Sequence, residues 1–240
     1  MKKSIGIIGG MGPLATADLF QKIVQLTDAE NDNAHIRIYI DDNSSIPDRT
    51  AAILSGGTDP VPFMEESIRK LEQCGADCLI MPCNTAHFFL PRLQPLTRLP
   101  FLSMLQAAAG ACARHYPGKR AGVLATRGTL ASGVYTRALE EAQVSLLLPS
   151  EEDRDRLMRV IYDGVKRGRP AEEIRGPMET VLADMAAAGA EYFILGCTEL
   201  PVAARELALP QAFVDPTEEL ARAAIRFCGY RVRGGDADRS

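Results

Sequence analysis

The chain has little of what several protein classes require. No apolar stretch in its 240 residues approaches the ~20 needed to span a bilayer, so no membrane partner is expected. The opening MKKSIGIIGGMG has two lysines and a short apolar run, but Gly9, Gly10, Gly12 and Pro13 interrupt it far short of an export signal. The expected location is the cytoplasm. Its six cysteines, at 74, 78, 83, 112, 197 and 228, include no CxxC pair, and in an unexported chain they read as reduced thiols, not a disulfide framework. Of the three histidines, His35 and His115 have no companions at ligand spacing, so no metal is expected. A basic surplus is missing too: 27 basic and 31 acidic side chains are mixed along the chain, which leaves no basic face for nucleic acid.

What is present is a chain that is 46% apolar, enough for a proper core. Short runs rich in Ile, Val and Leu alternate with longer amphipathic segments, the pattern of βα units around a mostly parallel sheet, and the expected class is α/β. The runs read as strands are 4–8, 35–40, 78–81, 101–104, 121–125, 192–195 and 212–214.

The chain also reads as one unit written twice. IGIIGGMGPLAT from Ile5 matches AGVLATRGTLAS from Ala121, with Gly6 on Gly122 at an offset of 116. GADCLIMPC, ending at Cys83, matches GAEYFILGC, ending at Cys197, at an offset of 114. LPFLSM from Leu99 resembles LPQAFVD from Leu209, with Phe101 on Phe213 at an offset of 112. One such match is common among βα units, but three in the same order point to duplication. A duplicated α/β unit predicts two similar lobes related by an approximate two-fold, with the carboxyl ends of their strands at a shared cleft. The boundaries expected are 1–98 with 210–232 for the first lobe, 99–209 for the second, and a disordered tail over 233–240.

Cys83 and Cys197 each stand at a strand-to-helix turn. A thiol there lies beside unpaired backbone N–H groups and the positive end of the helix dipole, which favour the thiolate and make it a usable base. Racemisation at Cα needs a base on one face and an acid on the other, and two equivalent thiols supply both. The developing charge on the α-carboxylate needs donors, and Asn84, Thr85 and Thr198 are placed to provide them; capping of the local helices is their ordinary alternative. Cys74, Cys78, Cys112 and Cys228 are read as core cysteines.

MPCNTAH around Cys83, LGCTELP around Cys197, the IIGGMGP start and the loop SIPDRT together resemble the aspartate/glutamate racemase superfamily, and most closely its aspartate racemase branch. The resemblance covers almost the whole chain. It implies a two-lobed α/β fold, a cofactor-independent mechanism with Cys83 and Cys197 as acid and base, and a homodimer. It puts Asn84, Thr85 and Thr198 at the α-carboxylate, makes Arg49 and Lys166 the clamp on the side-chain carboxylate, and groups Glu199 with the substrate-binding residues. Glutamate racemases of the wall-synthesis type carry His after the second Cys-Thr, where this chain has Glu199. The substrate implied is aspartate, with glutamate or a broader range of amino acids as alternatives.

Other readings compete. Gly10 to Ala15 fits a permissive GxGxxA dinucleotide fingerprint, with Asp41 and Asp42 imitating the ribose-binding acid, but the equivalent place in the second half, Thr126 to Thr129, suggests a turn common to both lobes. His87 lies four residues after Cys83, which raises a Cys–His nucleophile; a hydrolase of that kind leaves Cys197 without a role. No lysine context of the pyridoxal-phosphate type is apparent. From further classes come a diacid decarboxylase or isomerase using one thiol, and a non-catalytic amino-acid binder.

Overall fold

Ile5–Ile8 is a run of four buried residues that forms β1, the central strand of the first sheet. Both of its faces are covered, so it reads as continuous apolar residues and not as an alternation. It leads into helix α1 (Pro13–Leu26), which has proline at its start, where the missing N–H costs nothing. On either side β1 pairs in parallel with β2 (Ile38–Asp41) and β3 (Cys78–Ile80). Helices α2 (Arg49–Leu54) and α3 (Val61–Cys74) connect these two. A single parallel bridge from Leu79 to Phe101 extends the first sheet beyond β3. The second sheet holds β4 (Ala121–Leu124), β5 (Leu146–Leu147), β6 (Tyr192–Leu195) and β7 (Phe213–Val214), all parallel, in the order β5-β4-β6-β7.

The computed structural model describes residues 2–235. The chain divides into two units: one runs to Ala107 and resumes at Thr217, and the other is Ala108–Pro216. The sequence reading sets the changes at 98/99 and 209/210. They fall later because Phe101 still bridges to β3 and because β7 pairs with β6.

The internal repeat is visible in the register of the strands. Gly6 lies opposite Leu79 in the first sheet, and Gly122 lies opposite Phe193 in the second. A Cβ on Gly6 would stand 3.0 Å from both Ala76 Cβ and Leu79 Cδ2. One on Gly122 would stand 2.7 Å from Phe193 Cδ1 and 3.1 Å from Ala190 Cβ. Both glycines are therefore required by the close approach of the helix-to-strand turn that follows. That turn is built alike in each unit. Gly75 (φ 87°) and Gly189 (φ 100°) are left-handed, and the N–H groups of Ala76 and Ala190 return to the carbonyls of Leu71 and Met185, at 3.1 and 3.0 Å. A helix ended in this way satisfies its last carbonyls and releases the chain into β3 or β6. On the far edge, Leu79 N–H donates to Pro100 O and Phe193 N–H to Ala212 O, each at 2.9 Å.

Some expectations need correction. The run 101–104 contributes only the Phe101 bridge, and Met104 begins a helix (Met104–His115). β2 starts at Ile38, since His35 still closes a short turn over Asp32–Ala34. β5 was not foreseen. The tail begins ordered: Arg233 N–H donates to Leu26 O at 2.7 Å and Thr27 bridges to Val232, while residues 236–240 lie outside the described residues. Cys78, Cys112 and Cys228 are buried as expected, but Cys74, at the end of α3, is exposed.

Candidate active site

In the first unit, β3 delivers Cys83 through Met81 and Pro82 to a tight turn, Thr85–Phe89. Cys83, Asn84 and Thr85 are all buried. Asn84 occupies the capping position of that turn without a capping hydrogen bond from its side chain, which favours a role other than capping. His87 fixes the turn. Met104 N–H donates to its Nε2 at 3.2 Å, so Nε2 is the bare nitrogen and Nδ1–H donates to the carbonyl of Cys83 at 2.9 Å. Burial pushes His87 down to about 4, against the opposing bond to Cys83. Both ring nitrogens are thus committed to the backbone and the ring is neutral, which overturns the Cys–His nucleophile.

Arg49 opens α2, whose capping residue Asp48 accepts from Ala51 N–H at 2.7 Å. The guanidinium turns back to main-chain carbonyls: Nη1 donates to Ile46 O at 3.1 Å and Pro47 O at 2.9 Å, and Nη2 to Met11 O at 2.8 Å. Its Nε is buried with no hydrogen-bond partner. The cation is held by neutral acceptors, with its Nε–H left over for a ligand. α2 packs beside the turn that carries Thr85. Met11 belongs to the loop of the supposed dinucleotide fingerprint. There a Cβ on Gly10 would meet the backbone of Asn43 and Ser44 at 2.2 to 2.5 Å, so the glycine serves the packing of loop on loop.

In the second unit, β6 delivers Cys197 to a turn preceding the helix Leu200–Glu206, and four of the expected residues come together there. Cys197 Sγ donates to Glu199 Oε2 at 2.9 Å, Thr198 Oγ1 donates to the same oxygen at 3.2 Å, and Lys166 Nζ pairs with Glu199 Oε1 at 2.5 Å. Lys166 rides on a short turn, Val165–Arg167, after a wider π turn over Arg159–Gly164; such widened turns often re-aim side chains at functional sites. Burial opposes the charge on Glu199, yet Lys166 and the Cys197 hydrogen bond outweigh it and hold the carboxyl below its usual range. Burial, and then the charge and hydrogen bond of Glu199, push the Cys197 thiol well up. The expected thiolate-favouring effect of a helix start is reversed at this cysteine. A full negative charge in hydrogen-bond contact exceeds the half charge of a helix end.

The expected residues therefore fall into two groups: Arg49, Cys83, Asn84 and Thr85 in the first unit, and Lys166, Cys197, Thr198 and Glu199 in the second. Two roles went unread. His87, weighed as a partner of a nucleophilic Cys83, acts instead on the backbone of the Cys83 turn. Glu199, grouped with the substrate-binding residues, acts on the Cys197 thiol, for which the Cys-Thr-Glu spacing at a turn was the available signal. Among the described residues no group of three His, Cys, Asp or Glu side chains is arranged to hold a metal ion, and no helix is long and apolar enough to cross a membrane.

Comparison with known proteins gives consistent results. Residues 8–224 match the family model described as Asp/Glu/Hydantoin racemase. The chain is 24% identical over 234 residues to a broad-specificity amino-acid racemase of Bacillus subtilis, covering 92% of this chain and 96% of that one. It is 32% identical over 181 residues to a glutamate racemase of Deinococcus radiodurans, covering 71% and 60% of the two chains. Among solved structures, the aspartate racemase of Picrophilus torridus superposes with a TM-score of 0.82 at 31% identity, over 96% of each chain.

Proposed function

Because the chain belongs to the Asp/Glu/Hydantoin racemase family and is an amino-acid racemase, we propose that it interconverts L- and D-aspartate, with glutamate as a second substrate, and that it does so without a cofactor through Cys83 and Cys197. One observation carries the reading. Two buried thiols follow the equivalent strands β3 and β6 of two sheets that share register and turn construction.

The chemistry follows from what a Cα proton demands. One sulfur, as thiolate, removes the proton from one face of Cα; the other, as thiol, returns a proton to the opposite face, and the centre inverts. Cys197 is protonated in the resting protein, since burial and Glu199 disfavour its thiolate. The carbanionic intermediate places charge on the α-carboxylate, where donors already oriented contribute most. Asn84, Thr85 and Thr198 take that role. Arg49 and Lys166 bind the side-chain carboxylate, and two cations support a dicarboxylate over an apolar side chain, which would leave them unpaired. The Arg49 guanidinium, anchored on three carbonyls, loses little freedom when it binds.

The test is incubation of the purified protein with L-aspartate in D2O, without added cofactor, following Cα deuterium and the D/L ratio, with L-glutamate in parallel. Racemisation with deuterium uptake is expected, faster for aspartate. Folded protein with reduced cysteines that gives neither signal overturns the reading.

A further inference from the structure

Glu199 does more than racemisation by two thiols requires. One oxygen accepts from Cys197 and Thr198, and the other is paired with Lys166. The two ends of that ion pair differ in access: the Lys166 side chain is 28% exposed and that of Glu199 11%, so an incoming carboxylate meets the ammonium first. A cation that turns to a second carboxylate leaves the first a stronger base.

We propose that the Lys166–Glu199 ion pair is a latch opened by the substrate: the side-chain carboxylate of a dicarboxylic amino acid draws Lys166 away, and Glu199 then takes the Cys197 proton to leave a reactive thiolate. The inference rests on the assignment of Lys166 to that carboxylate under the proposed function. In the step, the S–H bond breaks with its electron pair left on sulfur and an O–H bond forms at Oε2. No co-reactant is needed. Until then the thiol stays protonated and poorly nucleophilic. An amino acid with a neutral side chain leaves the latch shut, so selectivity arises in activation as well as in binding. Tyr162, whose ring centroid is 5.5 Å from Lys166 Nζ, offers the displaced ammonium an aromatic face. Tyr135 also acts electrostatically with Cys197; burial raises it well above its ordinary value, so it stays neutral throughout.

Succinate, a dicarboxylate without an amino group, opens the latch without turnover. Its binding is measured by calorimetry. The ionisation of Cys197 is then followed by thiolate absorbance, as the difference from Cys197→Ser protein, with and without saturating succinate. Repulsion by a bound dianion alone would raise the midpoint. The latch lowers it, by at least about one pH unit, a tenfold gain in thiolate at fixed pH. Propionate should give no such shift, and Glu199→Gln should bind succinate at least as tightly and lose it. If Glu199→Gln fails to fold, Glu199→Ala serves, and a full shift in that variant overturns the latch. Bound succinate with the midpoint unmoved or raised overturns the latch and leaves the racemase reading standing. Binding of neither succinate nor aspartate overturns the Lys166 assignment and the latch together.

Discussion

His87 donates from Nδ1 to the carbonyl of Cys83, 2.9 Å away and four residues earlier in the chain. Its other nitrogen accepts from Met104, so the imidazole joins the cysteine turn to the start of the next helix and has to be neutral to do so. Its folded value is about 4, depressed by burial, against ~6.5 in an unfolded chain. Between these values the unfolded state binds the extra proton, so the stability contributed by neutral His87 is whole above about pH 6.5 and is lost as pH falls toward 4, amounting to about 3 kcal/mol. Denaturant unfolding at a series of pH values should show this slope, and His87→Gln should flatten it.

Replacing either active thiol should stop turnover without unfolding the protein. Cys83→Ala and Cys197→Ala are each expected to lower racemisation by about 10³-fold or more, in the range of a general acid or base, with unchanged circular dichroism. Near-normal activity in either variant would sink the two-base mechanism.

Arg49→Lys should fail where charge alone would succeed. A single ammonium cannot reproduce the three bonds to Met11, Ile46 and Pro47 and keep a donor for substrate. The expectation is a loss of about 1–2 kcal/mol of stability and a rise in KM for aspartate of about tenfold or more, read from thermal melts and steady-state kinetics. An unchanged KM would remove Arg49 from the substrate site.

Gly122→Ala should cost about 1–3 kcal/mol by overpacking, since the added methyl falls 2.7 Å from the Phe193 ring. At roughly 2–4 °C per kcal/mol for a chain of this size, the melting temperature should drop visibly. Phe193→Leu in the same protein copies the Gly6–Leu79 pairing of the first sheet and should restore part of the loss.

Much of this architecture was legible because duplication shows in residues that the backbone cannot do without. Gly6 with Gly122 and Gly75 with Gly189 mark strand approach and helix end in both units, and the cysteines follow at fixed spacing. β5 escaped notice because it is two half-buried residues, Leu146–Leu147, too short for any periodicity to register. The anchoring of Arg49 was hidden for another reason: its Met11 acceptor is 38 residues away, while its sequence neighbour Asp48 caps the same helix. At Cys197 the local rule was sound but incomplete, because burial, and then the Glu199 carboxylate in contact with sulfur, outweigh the dipole that the rule describes.

The two cysteine turns share a framework but not their companions: Asn84, Thr85 and a neutral His87 follow one sulfur, Thr198 and an ionised Glu199 the other. Enantiomers have equal free energies in free solution, so the Haldane relation forces a racemase to have the same kcat/KM in both directions, however lopsided its groups. The inequality of the two turns can therefore surface only as kcat and KM shifting together between the L and D substrates, so that the slower direction must also be the one that saturates at lower concentration.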